Sequence, residues 1–220
     1  MKRLYNTSLS LIIAITVISC SKQEKEVDEV AYYKFTAEDV NQIPEFTLNQ
    51  KIVYKNQFGE TINFTVTSLS KDKVLYTVGM GFLSPYAASY FYYDRKQIIL
   101  SPDNDNAYPL LPLSYDFWRW PDDLDSAKAN YKTLLESSLI GRIALFEKFD
   151  NSRWIYYNEY CIIITLEING IEFNNVKVFE STNQNGNTDD SNLNIKTIYY
   201  TDKNGVIGFD ETSGTIWRKQ

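Results

Sequence analysis

The chain has 220 residues, 44% of them hydrophobic, and carries a formal net charge of −6 with no histidine. Such an acidic chain argues against nucleic acid, and against anionic lipid head groups, as partners bound by charge. The lack of histidine excludes Ser-His-Asp and Cys-His catalysis and imidazole zinc sites, and the length gives room for one domain with its own core.

The first 19 residues are predicted to be an export signal. Lys2 and Arg3 precede the apolar run LSLIIAITVI at positions 9–18. This run is too short to cross a bilayer, which needs about 20 apolar residues. A positive start, a short apolar stretch and a small residue before the cleavage point are typical of a secretory signal peptide.

The end of this signal, Val17-Ile18-Ser19-Cys20, resembles the lipobox of bacterial lipoproteins. The resemblance implies that residues 1–19 are removed and that the Cys20 thiol carries a diacylglycerol, usually with a further acyl chain such as palmitate on its amine. Ser21 stands where an aspartate would favour the inner membrane, so the resemblance implies anchoring in the outer membrane. An ordinary secretory signal with an unrelated cysteine is the alternative interpretation.

Residues 20–44 are predicted to be a lipidated, flexible tether, and residues 45–220 a single β-rich globular domain. Positions 22–29 are mostly charged and have too few apolar side chains to fold. They are similar to the acidic surface-export signal of some Bacteroidota lipoproteins, and a plain solvated linker is the alternative. Loss of residues 1–19 removes Lys2 and Arg3 but no acidic residue, which changes the net charge from −6 to −8.

Residues 45–220 show the pattern of a mainly β protein. Short runs rich in Tyr, Phe, Ile, Val and Thr alternate with turn signals every eight to twelve residues. We predict an antiparallel curved sheet or half-barrel meander. One amphipathic helix is expected at about residues 123–140, because apolar residues recur there every three to four positions after an acidic start.

The second half of the chain carries the clearest hairpin signal. Asn169-Gly170 lies between two apolar runs and predicts a type I′ turn. The change of apolar parity across Asn174-Asn175 predicts a β-bulge. Residues 160–166 are apolar on both faces, which favours a central strand that buries Cys161. Positions 170–218 are similar to the end of many Bacteroidota lipoproteins, a group to which no activity is assigned.

The segment Phe117-Trp118-Arg119-Trp120 holds the candidate ligand-binding residues Trp118, Arg119 and Trp120. Two tryptophans at positions i and i+2 of a strand lie on one face, where exposed rings can stack on sugars or apolar ligands. The alternative is that both rings belong to the core, with one cation–π contact to Arg119.

No catalytic, metal or cofactor site is predicted. A calcium loop starting at Asp103 would need a glycine at Tyr108 and a glutamate at Ser114. The favoured interpretation is a non-catalytic binding or accessory protein of the cell envelope. Its predicted partner is the membrane, through Cys20, and the sequence does not identify a protein or glycan partner. A carrier of an apolar ligand or lipid in a half-barrel groove is the second hypothesis, and an enzyme is the third.

Overall fold

The computed structural model describes residues 30–77, 90–103, 112–129, 132–144, 155–156, 161–180 and 195–220. One of the two compact units of the chain runs from Ala31 to Gln220. The described part of the chain contains two short helices, α1 (Ala37–Gln42) and α2 (Leu124–Ala129). The strands are β1 (Tyr32–Tyr33), β2 (Lys51–Asn56), β3 (Thr61–Thr77), β4 (Tyr90–Pro102), β5 (Leu113–Pro121), β6 (Ser137–Ala144), β7 (Ile155–Tyr156), β8 (Ile162–Ile168), β9 (Ile171–Glu180), β10 (Ile195–Thr201), β11 (Gly205–Glu211) and β12 (Ile216–Lys219).

The strands form one antiparallel meander, which confirms the predicted fold class. Their order in the sheet is β7-β6-β5-β4-β3-β2-β12-β11-β10-β9-β8, and β1 pairs in parallel with β4 beside this path. Neighbours in the path are also neighbours along the chain, with one exception: β2 pairs with the last strand, β12. This pair joins the two halves of the sheet.

The sheet is strongly curled. A flat sheet of eleven strands spaced by about 4.8 Å would place its two end strands about 48 Å apart. The end strands here are β7 and β8, and Tyr156 is followed six residues later by Ile162. Six residues span at most about 22 Å, so the ends of the sheet must approach each other. The described parts of β7 and β8 do not pair, and the sheet is not closed.

The concave face of the sheet is packed with large side chains. Tyr115 on β5 and Tyr200 on β10 lie with their ring centroids 6.4 Å apart, although their strands are distant in the sheet. The Val206 N–H donates to the Tyr115 hydroxyl over 3.0 Å, and the Tyr54 hydroxyl donates to the Val206 carbonyl over 2.9 Å. Complete burial raises the pKa of both phenols above its ordinary value. These contacts tie opposite walls of the curled sheet together through its interior.

The predicted tether is too long, because the fold begins at Ala31 and not at Glu45. Tyr33 is buried, and Ile43 packs in the main core. Thr36 caps α1 by accepting a hydrogen bond from the Asp39 N–H, while the Asp39 carboxylate accepts from the Thr36 N–H. The charged pattern of positions 22–29 therefore does not extend to residues 31–44, where apolar side chains reach the sheet.

The predicted helix at 123–140 is much shorter in the structure. Helix α2 ends at Ala129, and β6 begins at Ser137. Leu139 and Ile143 on β6 enter the main core. Pairing of β6 with β5 holds both side chains in this core, and this tertiary pairing overrides the helical spacing seen in the sequence.

The β8–β9 hairpin has the predicted turn, but β8 does not have the predicted central position in the sheet. Asn169 and Gly170 have φ values of 53° and 76°, as a type I′ turn requires. The β8–β9 register shifts opposite Asn174-Asn175, which confirms the bulge. However, β8 is an end strand of the sheet and not a central one, and Ile163 is 62% exposed.

Candidate binding surface

Strand β5 divides the three predicted ligand-binding residues between two faces of the sheet. Tyr115 and Phe117 are buried in the interior core. Because alternate residues of a strand point to opposite faces, Arg119 belongs to the inner face, whereas Trp118 and Trp120 belong to the outer face. The two tryptophans share one face as predicted, and Arg119 lies on the other.

Arg119 is engaged in holding α1. Its guanidinium contacts both carboxylate oxygens of Asp39, at 2.8 and 3.1 Å, and it also donates to the side chain and the carbonyl of Ser137. The Asp39 side chain is only 4% exposed. Arg119 therefore connects α1 to the sheet and is occupied by protein partners.

Trp120 belongs to an aromatic cluster on the outer face. Its ring lies 4.9 Å from that of Tyr76, 5.3 Å from Phe91 and 5.2 Å from Tyr93, in edge-to-face arrangements. The same cluster contains buried Tyr33 of β1 and residues from α2. Such pairs stabilise a fold beyond the area that they bury, so Trp120 is a packing residue of this second, outer core.

Trp118 is partly exposed and lies beside a row of charged residues from three strands. The Arg142 guanidinium lies 5.7 Å from the centre of its ring. Asp116, which is buried, accepts two hydrogen bonds of 2.7 Å from Arg95 and one of 3.1 Å from Arg142. The hydrogen bonds from Arg95 to Asp116 raise the pKa of Arg95. We call Arg95, Asp116, Trp118 and Arg142 the outer-face row.

The sheet register explains how this row is assembled. Arg95 of β4 lies directly opposite Trp118, and Arg142 of β6 lies directly opposite Asp116. Of these four residues, only Trp118 is predicted from the sequence, and Arg95, Asp116 and Arg142 are not. They are 21 to 47 positions apart, and no local pattern predicts which strands become neighbours.

The outer-face row offers a flat aromatic surface next to positive charge. It holds two guanidinium groups and one carboxylate, and that carboxylate is already engaged by both arginines. The indole ring can stack on a sugar ring or an aromatic group, and a neighbouring guanidinium can bind an acidic group by charge. Within the described residues, no group of three Asp, Glu or Cys side chains is arranged to hold a metal ion.

The remaining predicted residue of interest, Cys20, lies outside the described residues. Cys161 is a free, partly buried thiol that packs against the main core. Among the described helices, none has the length and apolar character needed to cross a membrane. Comparisons with protein-family models, curated proteins and solved structures found no significant match.

Proposed function

We propose that this protein is an exported lipoprotein, anchored to the outer membrane through Cys20, that binds a partner without catalysing a reaction. The lipobox-like sequence at residues 17–20 supports the anchor. Only ten residues, 21–30, separate Cys20 in the sequence from Ala31, the first residue of the folded unit described above.

The packed interior is the observation that favours binding on the outer face. Aromatic side chains from opposite walls meet inside the sheet, including the buried Phe64, Tyr115 and Phe209. No observation on the described residues favours an apolar ligand in a groove, which was the second hypothesis. The outer-face row, by contrast, places a partly exposed indole next to two arginines.

The absence of catalysis is part of the proposal and rests on the side chains at this surface. A general acid or base must be free to exchange a proton with a substrate. Asp116 is buried and bound to Arg95 and Arg142, so it is unsuited to this role. With no histidine in the chain, we propose recognition of a sugar or a protein partner.

The anchor is tested by the variant Cys20→Ala. The parent protein, expressed in a bacterium, is expected to enter the detergent phase on phase separation, whereas Cys20→Ala is expected to stay in the aqueous phase because it cannot take the lipid. Cys161→Ala serves as the control and should behave as the parent. Equal partitioning of Cys20→Ala and the parent would show that Cys20 is not the anchor.

The binding surface is tested by comparing Trp118→Ala with Trp120→Ala in residues 21–220. On a glycan array, we expect Trp118→Ala to lose binding and to keep most of its stability. Trp120→Ala should unfold more easily, with a loss on the order of 3 kcal/mol for a large side chain removed from an aromatic cluster. Full binding by folded Trp118→Ala would exclude this indole as the contact.

A further inference from the structure

A second surface with a distinct chemistry lies where the chain enters the fold. The Lys73 ammonium lies 4.4 Å from the ring centre of Tyr32 and 4.0 Å from that of Tyr92, and the Lys34 ammonium lies 4.9 Å from that of Tyr32. The two tyrosine rings are 6.3 Å apart, edge to face. We call Tyr32, Lys34, Lys73 and Tyr92 the lysine–tyrosine patch.

This patch brings exposed lysines together in an acidic protein. Lys34 and Lys73 are exposed, and so is Lys71, two positions before Lys73 on the same face of β3. Asp94 of β4, which is 8% exposed, lies opposite Lys73 in the sheet register. Its carboxylate is occupied by hydrogen bonds from the Tyr32 hydroxyl at 2.5 Å and the Phe35 N–H at 2.9 Å.

The direction of β1 puts the patch at the site where the chain arrives from Cys20. Strand β1 runs parallel to β4, with Tyr32 opposite Tyr92, and the Tyr92 N–H donates to the Ala31 carbonyl. Ten residues, 21–30, separate Cys20 from Ala31. Even a fully extended chain of this length reaches only about 36 Å.

We propose that the lysine–tyrosine patch docks the domain onto the anionic head groups of the membrane that holds its lipid anchor. The proposal rests on the proposed anchor at Cys20. Lysine ammonium groups bind anionic head groups, while tyrosine rings prefer the boundary between head groups and acyl chains. The patch offers both kinds of side chain next to Ala31, where the folded unit begins.

The net charge of the whole chain does not oppose this docking. The net charge of −6 argues against binding of anionic lipids by the surface as a whole, but it is a sum over the entire chain and does not describe one patch. At physiological ionic strength, charges more than about 8 Å apart are largely screened from one another. The lysines at the membrane would therefore act locally, and the acidic groups on the far side of the domain would be screened.

The experiment uses residues 21–220, which contain the whole compact unit and carry no lipid. We expect this protein to sediment with vesicles of phosphatidylglycerol and phosphatidylcholine but not with vesicles of phosphatidylcholine alone. Since each lysine near a charged bilayer contributes about 1 kcal/mol, Lys34→Gln with Lys73→Gln should weaken binding roughly 25-fold. Because no anchor is present, this result is independent of the lipidation of Cys20.

A matched control replaces two exposed lysines elsewhere, Lys55→Gln with Lys196→Gln, and so changes the net charge by the same amount. It should keep the affinity of the parent to within about 2-fold. Equal losses in both double variants would overturn the proposal, because net charge and not the patch would then control binding.

A shorter protein, residues 31–220, tests whether the acidic residues before Ala31 occupy the patch in place of the membrane. The connection, residues 21–30, contains Glu24, Glu26, Asp28 and Glu29, which could cover the lysines. If residues 31–220 bind anionic vesicles and residues 21–220 do not, the acidic connection is the occupant of the patch and membrane docking is wrong. Equal binding by the two proteins supports docking.

Discussion

At the scale of single residues, two buried carboxylates attach the N-terminal segment to the sheet. Asp94 accepts hydrogen bonds from Tyr32 and Phe35, and Asp39 binds Arg119. A buried carboxylate is costly unless it is paired, and removal of one partner leaves the other charge without compensation. These contacts therefore hold residues 32–39 against the sheet.

The variant Asp39→Asn should destabilise the protein by about 3 kcal/mol, because it leaves the Arg119 guanidinium partly buried without its counter-charge. Urea unfolding of residues 21–220 measures this change. Glu38→Gln, one position earlier in the same helix, is the control: Glu38 is exposed and should contribute less than about 0.5 kcal/mol. If the two variants unfold at the same urea concentration, the Asp39–Arg119 pair has no role in stability.

At the scale of elements, the hairpin turns depend on glycines with positive φ, but these turns are not equivalent. Gly170, in the β8–β9 turn, has φ +76° and open space around the position of a Cβ atom. Gly205 begins β11 with φ +69°, and a Cβ atom there would lie 2.7 Å from the Tyr115 hydroxyl and 3.2 Å from the Phe46 ring. The second glycine thus serves the turn and also the contact between opposite walls.

Gly205→Ala is therefore expected to cost at least about 2 kcal/mol, from backbone strain and from overlap with Tyr115. Gly170→Ala, which shares only the positive φ, should cost about 1 kcal/mol. Thermal unfolding of both variants gives the comparison. Tyr115→Phe is itself destabilising because it removes the acceptor of the Val206 N–H, but in its background Gly205→Ala should cost less than in the parent, since the overlapping oxygen is gone. Identical losses for the two alanine variants would show that the Tyr115 contact is unimportant.

At the scale of the whole molecule, the pair of β2 and β12 joins the two halves of the meander. Trp217 lies at this junction opposite Asn56, is 1% exposed and stacks on Phe209 at 6.0 Å. Its indole N–H donates to Glu211 over 2.7 Å. Trp217 thus packs at the junction of β12 and β2, and its indole N–H has a hydrogen-bond partner.

Trp217→Ala should lower the free energy of unfolding by about 3–5 kcal/mol, since it leaves a large cavity at the only junction between the halves in the described sheet. Ile216→Ala is the neighbouring control. Ile216 is 41% exposed and should cost less than about 1 kcal/mol. In Trp217→Ala, the backbone amides of both β2 and β12 should exchange hydrogen faster than in the parent. Unchanged exchange rates in these two strands would contradict this role.

Local signals in the sequence were sufficient for several strands and turns, but not for β1 and β6, which begin inside the predicted tether and the predicted helix. The alternation at Ile62, Phe64 and Val66 predicts one buried face of β3, and all three side chains are buried. Asn169-Gly170 predicts its turn because only a few residues adopt positive φ without strain. Alternation and turn chemistry act over a few neighbouring residues, and the sequence therefore contains them directly.

The tertiary structure alone decided which strands became neighbours and which faces were covered. The register of β4, β5 and β6 assembles the outer-face row from residues 95, 116, 118 and 142. The parallel pairing of β1 with β4 brings Tyr32 and Lys34 to Lys73 and Tyr92. Pairing of distant segments depends on the free energy of the entire packed sheet. The alternation of apolar and polar residues along a strand predicts which side chains share a face, but it does not predict what that face contacts.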